Sequence, residues 1–146
     1  IGGPTVLQDT GIDTVFSLSE WHGNVANNKT EAYATEYKKK FKNDFLLLRV
    51  NTAMDMLAEA MTQAKSVKPL DVARKLEDMK FQSDMGEVWM RKDDHQFFQD
   101  IFISSLGPTK PGDKFDEEGT GWGWKTIGKV KGADTVLPTT CKMERP

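Results

Sequence analysis

The sequence has very few of the residues that metal centres and disulfide frameworks require: one cysteine and two histidines in 146 residues. A single Cys141 excludes a disulfide or a thiolate metal cluster within the chain. His22 and His95 lie far apart, and neither belongs to a zinc-binding spacing. The sequence therefore predicts no metal and no other cofactor.

The sequence also lacks the motifs that mark common enzyme classes. It has no Gly-x-x-x-x-Gly-Lys-Ser/Thr loop and no Gly-x-Ser-x-Gly turn. The glycine-rich stretch Gly119–Gly123 lacks the strand and helix that flank a phosphate-binding loop. Catalysis would need a nucleophile beside an oriented base, and neither histidine has such a partner nearby in sequence. A catalytic partner that is distant in sequence remains an alternative. The sequence predicts that the protein is not an enzyme.

Long apolar runs and a charge of one sign are absent as well. The longest apolar run, Phe45–Leu48, is flanked by Asp44 and Arg49 and is far shorter than the ~20 residues that span a bilayer. The 20 basic and 22 acidic residues give a net charge of −2, and only Lys38–Lys40 and Lys42 cluster. Nucleic acid is therefore not expected as a partner. With 38% hydrophobic and 29% charged residues, the composition is that of a folded globular domain.

The first half of the chain predicts a strand followed by three helices. Alternation predicts a strand over Thr14–Trp21, entered at Gly11. Asn28, three residues before Glu31, is typical of a helix N-cap, although Asn28-Lys29-Thr30 also matches a glycosylation sequon. The first helix is predicted over residues 29–42, with one face formed by Tyr33, Tyr37 and Phe41.

Two further helices follow from their periodicity. A helix over Thr52–Lys65 repeats Met54, Leu57, Met61 and Ala64 at helical spacing. Its methionines, Met56 included, favour a buried helix, and a pliable binding face is the alternative. A third helix over Pro69–Met79 has its proline in the first turn and the inward residues Val72, Leu76 and Met79.

The period changes to that of strands in the second half. Two strands are predicted over Gly86–Arg91 and Phe97–Ser104, with His95 in the connecting loop rather than acting as a ligand. Bulky residues on both faces of the second strand predict that it is covered on both sides. Residues beyond Leu106 are predicted to form a tail, which begins with a loop at Gly107–Gly112 and has no regular period over Pro138–Pro146. Within it, Trp122 and Trp124 would share one side of an extended segment.

This element order predicts an α/β fold that is incomplete by itself. One strand followed by three helices does not close a parallel sheet, because such sheets need several strands with helices on both faces. We therefore expect more sheet from elsewhere, either upstream in the same polypeptide or from another copy.

The ordered set of segments resembles the C-terminal portion of type I periplasmic solute-binding proteins of the branched-chain amino acid (leucine/isoleucine/valine-binding) ABC transporter family. The similarity covers nearly the whole chain, and the segments that carry it are Gly11–Trp21, Tyr33–Phe41, Asn51–Ser66, Met79–Gln96, Lys114–Trp122 and Ala133–Pro146.

The resemblance implies part of a two-lobed fold with three-layer α/β/α lobes. Residues 1–22 would end the second lobe and cross the hinge, 23–106 would form the late part of the first lobe, and 107–146 would return toward the second. It implies a periplasmic receptor that captures a small solute and delivers it to an ABC permease in the inner membrane. A ligand-sensing domain of a larger receptor or enzyme is the alternative, since the same fold serves both.

The resemblance places candidate ligand-binding residues after the first strand. Ligand groups in α/β folds come from the carboxyl ends of strands, which here selects Glu20, Trp21 and His22. Trp21 would form an apolar wall, Glu20 would pair with an ammonium and His22 would donate to a carboxylate. The alternative is that Trp21 packs in the hinge and Glu20 is a solvated crossing residue.

Arg49 and Asn51, at the start of the second helix, are candidates for recognising a carboxylate. An ion pair of Arg49 with a surface acid is the alternative. Glu20 favours an amino acid as the solute, whereas Trp21 with Arg49 favours an aromatic acid.

Two expectations concern contacts outside the chain. Cys141 would pair with an upstream cysteine, as an oxidising periplasm allows, or stay a free thiol. A fragment of a lobe leaves apolar faces uncovered, so the isolated chain is expected to self-associate.

Overall fold

The computed structural model describes residues 15–26, 29–45 and 48–144. These residues form strand β1 (Val15–Ser19), helices α1 (Glu31–Phe41), α2 (Leu48–Ala64) and α3 (Pro69–Leu76), and strands β2 (Lys80–Ser83), β3 (Gly86–Met90), β4 (Phe97–Phe98), β5 (Ile101–Pro108) and β6 (Trp122–Val130). A short 3₁₀ helix at Gly132–Thr135 follows β6. The predicted roles of Gly11, Thr14 and Asn28 lie outside the described residues.

The strands form two antiparallel three-stranded sheets, in the orders β1-β5-β6 and β2-β3-β4. In the first sheet Val15 lies opposite Leu106 and Ser19 opposite Phe102. The mixture of helices and strands agrees with the predicted α/β class. Strand β1 pairs with β5, whose residues lie 83 to 91 positions later in the chain, and β5 in turn pairs with β6.

The chain divides into two compact units. The first contains the described residues up to 45 together with Ile101–Val130. The second contains residues 48–100 together with the described residues from Lys131 onward. The predicted segments divide the chain near residues 22 and 106, so the two divisions differ. The assignment of segments to a first and a second lobe stays a prediction.

Helix α1 begins two residues later than predicted and ends at Phe41. Thr30 is its N-cap residue and makes no capping hydrogen bond through its side chain. Lys42 ends the helix in the left-handed region, with φ of 56°, and its N–H donates to the Lys38 carbonyl. Glu31 in the first turn and three lysines in the last suit the helix dipole.

The predicted inward face of α2 is wrong by part of a turn. Its buried residues are Leu48, Thr52, Met56 and Ala60, whereas Met54 is 61% exposed. Leu57 and Met61 lie at the edge of the core, which is formed by Met56, Ala60, Val72, Met79 and Val88. The helix packs in its own unit through Met56, as the favoured interpretation expected.

The predicted strand over Phe97–Ser104 is divided between the two sheets. Phe97 and Phe98 pair with β3, and Ile101 begins β5 in the other sheet. Asp100 lies between the two strands and belongs to neither, and its Oδ1 accepts a hydrogen bond from the Gly132 N–H at 2.8 Å. Two strands were not predicted from the alternation of residues: β2, which pairs with β3, and β6, which lies in the predicted tail.

Candidate ligand-binding site

Strand β1 ends at Ser19 and leads directly into the predicted triplet. Glu20, Trp21 and His22 are 9%, 7% and 4% exposed. The alternation of half-buried and exposed residues along β1 stops there, since three consecutive side chains are buried. Glu20 is thus not the solvated residue of the alternative interpretation, and all three belong to the interior of the first unit.

His22 is held as a neutral ring by its two neighbours. Its Nδ1 accepts the Asn24 backbone N–H at 3.2 Å, so the ring proton lies on Nε2, which donates to Thr126 Oγ1 at 2.9 Å. Burial lowers the pKa of His22 from its ordinary 6.5 to about 4. The proton that His22 was predicted to offer a ligand carboxylate is donated to Thr126 in this structure.

Trp21 belongs to an aromatic cluster centred on Phe45. The Phe45 ring centroid lies 5.5 Å from that of Trp21, 4.9 Å from Tyr33 and 5.4 Å from Tyr37. Phe41 extends the cluster from Tyr37 at 4.6 Å. Two residues of the predicted aromatic face of α1, Tyr33 and Tyr37, therefore pack on Phe45, at centroid distances that are favourable for aromatic pairs.

A small cavity lies beside Trp21 in the same unit. Its free volume of about 20 Å³ is enough for one water-sized group. One side is aromatic and the other is charged, and the lining residues are Trp21, Gly23, Ala34, Lys38, Asp44, Phe45, Phe115, Asp116 and Glu117. The cavity is too small for an amino acid or an aromatic acid.

Lys38 is the cation of this charged side. Its Nζ lies 2.7 Å from Asp44 Oδ1 and 3.5 Å from Asp116 Oδ1. The hydrogen bond to Asp44 raises the pKa of Lys38. The pKa of Asp116 is lowered, mainly by the hydrogen bond from the Gly121 N–H and to a smaller extent by the positive charge of Lys38. Both shifts favour the charged forms of Lys38 and Asp116 at neutral pH.

Glu117 is the buried acid of the cavity, with 6% of its surface exposed. Burial, followed by the negative charges of Asp44 and Glu118, raises the pKa of Glu117 from 4.5 to about 7. The hydrogen bonds that the structure shows for Glu117 involve its backbone: its N–H donates to Trp122 O at 2.7 Å, and its carbonyl accepts from Thr120.

Asn24 fixes the segment that carries these acids. Its Nδ2 donates to Phe115 O at 2.6 Å, and its Oδ1 accepts the backbone N–H groups of Lys114 and Phe115 at 3.1 and 3.0 Å. A Cβ at Gly23 would lie 2.8 Å from Phe115 Cβ, so the turn after β1 needs glycine for this approach.

Arg49 and Asn51 lie elsewhere, in the first turn of α2 in the second unit. Arg49 is exposed and Asn51 half-buried. Because α2 begins at Leu48 rather than Thr52, both residues are helical instead of preceding the helix. The structure thus gathers Glu20, Trp21 and His22 in one unit and places Arg49 and Asn51 in the other.

Sequence reasoning missed Lys38, Asp44, Phe115 and Glu117, which line the cavity beside Trp21, and Asn24, which bonds to Phe115. The acidic run Asp116–Glu118 was visible in the sequence, but it is typical of a solvated loop. The burial of Glu117 and the contact of Asp116 with Lys38, 78 positions earlier, show that part of the run faces inward.

The described residues hold no group of three His, Cys, Asp or Glu side chains arranged for a metal ion. None of the helices within the same residues is long and apolar enough to cross a membrane. Cys141 is exposed, with a free thiol.

The comparison with family models identifies the class of protein. Residues 2–111 match the model described as periplasmic binding protein, and the chain belongs to this family. A search of curated proteins found no match. The resemblance seen in the sequence is therefore confirmed.

Solved structures agree in fold. The leucine-, isoleucine-, valine-, threonine- and alanine-binding protein of Brucella ovis, 20% identical, superimposes with a TM-score of 0.79 over 98% of this chain and 38% of its own. A branched-chain amino acid transporter protein from Rhodopseudomonas palustris, 19% identical, gives 0.70 over 98% and 37%.

A third solved structure, a Rhodopseudomonas palustris ABC transporter solute-binding protein in complex with 3,4-dihydroxybenzoic acid, is 14% identical, with a TM-score of 0.64 over 82% of this chain and 31% of its own. The chain thus has the fold of part of a two-lobed type I binding protein and spans less than two fifths of the length of these proteins.

Proposed function

We propose that the chain is part of the substrate-binding component of an ABC importer, which captures a small solute in the periplasm and delivers it to the membrane permease. The match of residues 2–111 to the periplasmic binding protein family carries this proposal. Similar folds among ABC transporter solute-binding proteins support it.

The proposed solute is a branched-chain amino acid or a related hydrophobic or aromatic acid. Names of the similar structures include a leucine-, isoleucine- and valine-binding protein and a complex with 3,4-dihydroxybenzoic acid. These two classes need different partners, since an amino acid adds an ammonium group that requires a desolvated acid. Glu20, 9% exposed, is such an acid in the first unit.

A thermal-shift series on the native protein separates the two classes. Leucine, isoleucine and valine form one arm, and 4-hydroxybenzoate and 3,4-dihydroxybenzoate form the other. A ligand at 100 times its Kd stabilises the folded state by about 2.7 kcal/mol, which is a clear rise in Tm. A shift in neither arm contradicts the proposed solute.

The proposed ligand residues are tested one unit at a time. We expect Glu20→Gln to abolish the shift by amino acids, whereas Glu87→Gln, an exposed acid of β3, should keep it. Arg49→Gln should weaken aromatic acids at least about tenfold if its guanidinium meets their carboxylate, with exposed Arg74→Gln as the control. Unchanged binding in both variants would reject these residues as ligands.

We also propose that the 146-residue chain self-associates when it is produced alone. Phe16 and Leu18, on one face of β1, are 58% and 72% exposed, and Ile127 of β6 is 58% exposed. Covering such residues is favourable by roughly 25 cal/mol per Å² of apolar surface.

Light scattering over a concentration series tests self-association, with Phe16→Ser/Leu18→Ser compared against Leu137→Ser. Leu137 is 73% exposed but lies in an irregular segment. The β1 double variant should reduce the association and the control should not. A compact monomer at every concentration contradicts the proposal.

A further inference from the structure

The charged side of the cavity in the first unit contains more acids than its cation can neutralise. Lys38 lies between Asp44 and Asp116, which together already outweigh its single charge. Glu117 faces the same cavity, and Glu118 follows it in the chain. Charge balance in a half-buried place therefore depends on whether Glu117 carries a proton.

The same groups join two distant parts of the chain. Lys38 belongs to α1, Asp44 to the segment after it, and Asp116, Glu117 and Glu118 to the segment between β5 and β6. The Glu118 N–H donates to Asp44 Oδ2 at 2.5 Å, and Asp116 Oδ2 accepts the Gly121 N–H at 3.0 Å. Any charge added among these acids acts on the contact between α1 and the 109–121 segment.

We propose that Glu117 and its charged neighbours form a pH-sensitive latch, which holds the 109–121 segment against α1 while Glu117 is protonated and loosens the segment when Glu117 ionises. With a neutral Glu117, its buried carboxyl adds no charge beside Asp44 and Asp116. Ionisation adds a third carboxylate to a cavity that is lined by one ammonium, and this added charge belongs to a residue that is only 6% exposed.

The direction of the response follows from the surroundings of Glu117. Burial and the negative charges of Asp44, Glu118 and Asp116 raise the pKa of Glu117, and only Lys38 opposes them. A midpoint of about 7 falls between mildly acidic and mildly alkaline surroundings, so the protonated fraction changes steeply across that range.

The latch does not depend on solute capture, although the candidate ligand residue Trp21 lines the same cavity. Its cavity of about 20 Å³ takes no solute-sized ligand, and its contacts lie within the first unit. We expect the latch to change how well ordered residues 109–121 are, and this can be measured without a ligand.

Glutamate-selective carbon-13 NMR on the native protein measures the titration directly, with Glu117 assigned by the signal that Glu117→Gln removes. We expect a midpoint near 7. Glu118→Gln should lower the midpoint because it removes one of the repelling charges. A midpoint in the ordinary range near 4.5 overturns the proposal.

Hydrogen exchange then tests the loosening. Protection of backbone amides in residues 109–121, corrected for the intrinsic pH dependence of exchange, should fall at least about threefold between about pH 5.5 and pH 8.5. Glu117→Gln, which resembles the protonated form, should keep its protection throughout, and the matched control Glu87→Gln should behave as the wild type.

Two results of this experiment would overturn the latch. One is protection of 109–121 that stays constant with pH in the wild type. The other is a decrease in Glu117→Gln as large as in the wild type. If Glu117→Gln does not fold, the wild-type profile and the Glu118→Gln midpoint decide alone.

Discussion

Single buried polar groups in the first unit differ in how well they are satisfied. Ser104, at the centre of β5, is fully buried, and its hydroxyl has no hydrogen-bond partner among the described residues. Its register neighbour Thr126 instead receives the His22 Nε2–H. A buried hydroxyl without a partner costs free energy, whereas a bonded one contributes.

We expect Ser104→Ala to leave the free energy of unfolding unchanged or to raise it by up to about 1 kcal/mol. Thr126→Ala should lower it by about 1 kcal/mol, because His22 then loses its acceptor. Urea unfolding of both variants measures the difference. A clear loss in Ser104→Ala would show that the hydroxyl makes a stabilising contact.

Two glycines lie opposite each other in the first sheet and differ in the space around them. Gly123 pairs with Gly107. A Cβ at Gly123 would lie 2.8 Å from the Phe115 carbonyl oxygen, while a Cβ at Gly107 would meet nothing within 4 Å. Glycine is required at one position of the pair and not at the other.

Gly123→Ala should therefore destabilise the protein by about 1–3 kcal/mol through overpacking against backbone. Gly107→Ala should be neutral or stabilise by up to about 1 kcal/mol, since alanine reduces the freedom of the unfolded chain. Equal effects in denaturant unfolding would contradict the close approach of Phe115.

At the scale of elements, local patterns found the helices, while long-range pairing decided the strands. The existence of α1, α2 and α3 follows from apolar spacing, and Val72 faces inward as predicted. Strand β6 was hidden because Gly123, Gly128 and Lys129 interrupt its alternation. Its pairing with β5 supplies the order that the local pattern lacks.

The error in the inward face of α2 has a physical cause. Methionines at 54, 56 and 61 fit two faces of a helix, and the apolar spacing alone favours the face with Met54. The true stripe runs through Thr52, a polar residue that an apolar pattern rejects. The candidate site was less predictable still, because Lys38 and Glu117 meet only through the fold.

The buried face that the structure shows for α2 predicts that two methionines, two residues apart, contribute very differently to stability. Met56 is 2% exposed in the core of the second unit, and Met54 is 61% exposed. We expect Met56→Ala to cost about 2–5 kcal/mol of stability through a cavity. Met54→Ala should change it by less than about 0.5 kcal/mol. Thermal or chemical unfolding of both variants measures the difference. A larger loss of stability in Met54→Ala than in Met56→Ala would support the inward face that the sequence pattern predicted.

At the scale of the whole molecule, His22 and Glu117 make opposing contributions to the way the free energy of unfolding depends on pH. The folded pKa of His22 is lowered from 6.5 to about 4, so its contribution is complete above pH 6.5 and is lost as pH falls toward 4. The folded pKa of Glu117 is raised from 4.5 to about 7, so its contribution is complete below pH 4.5 and is lost as pH rises through 7.

Between pH 4.5 and 6.5 the two slopes have opposite signs and should nearly cancel. Each difference of about 2.5 in pKa corresponds to roughly 3 kcal/mol. We therefore expect the unfolding free energy of His22→Gln to fall with rising pH in this range, and that of Glu117→Gln to rise. The wild type should lie between them with the smallest slope. Urea unfolding at half-unit steps of pH measures all three curves. Parallel curves would show that neither group is buried as the structure has it, because only a difference in proton binding between folded and unfolded chains produces a slope.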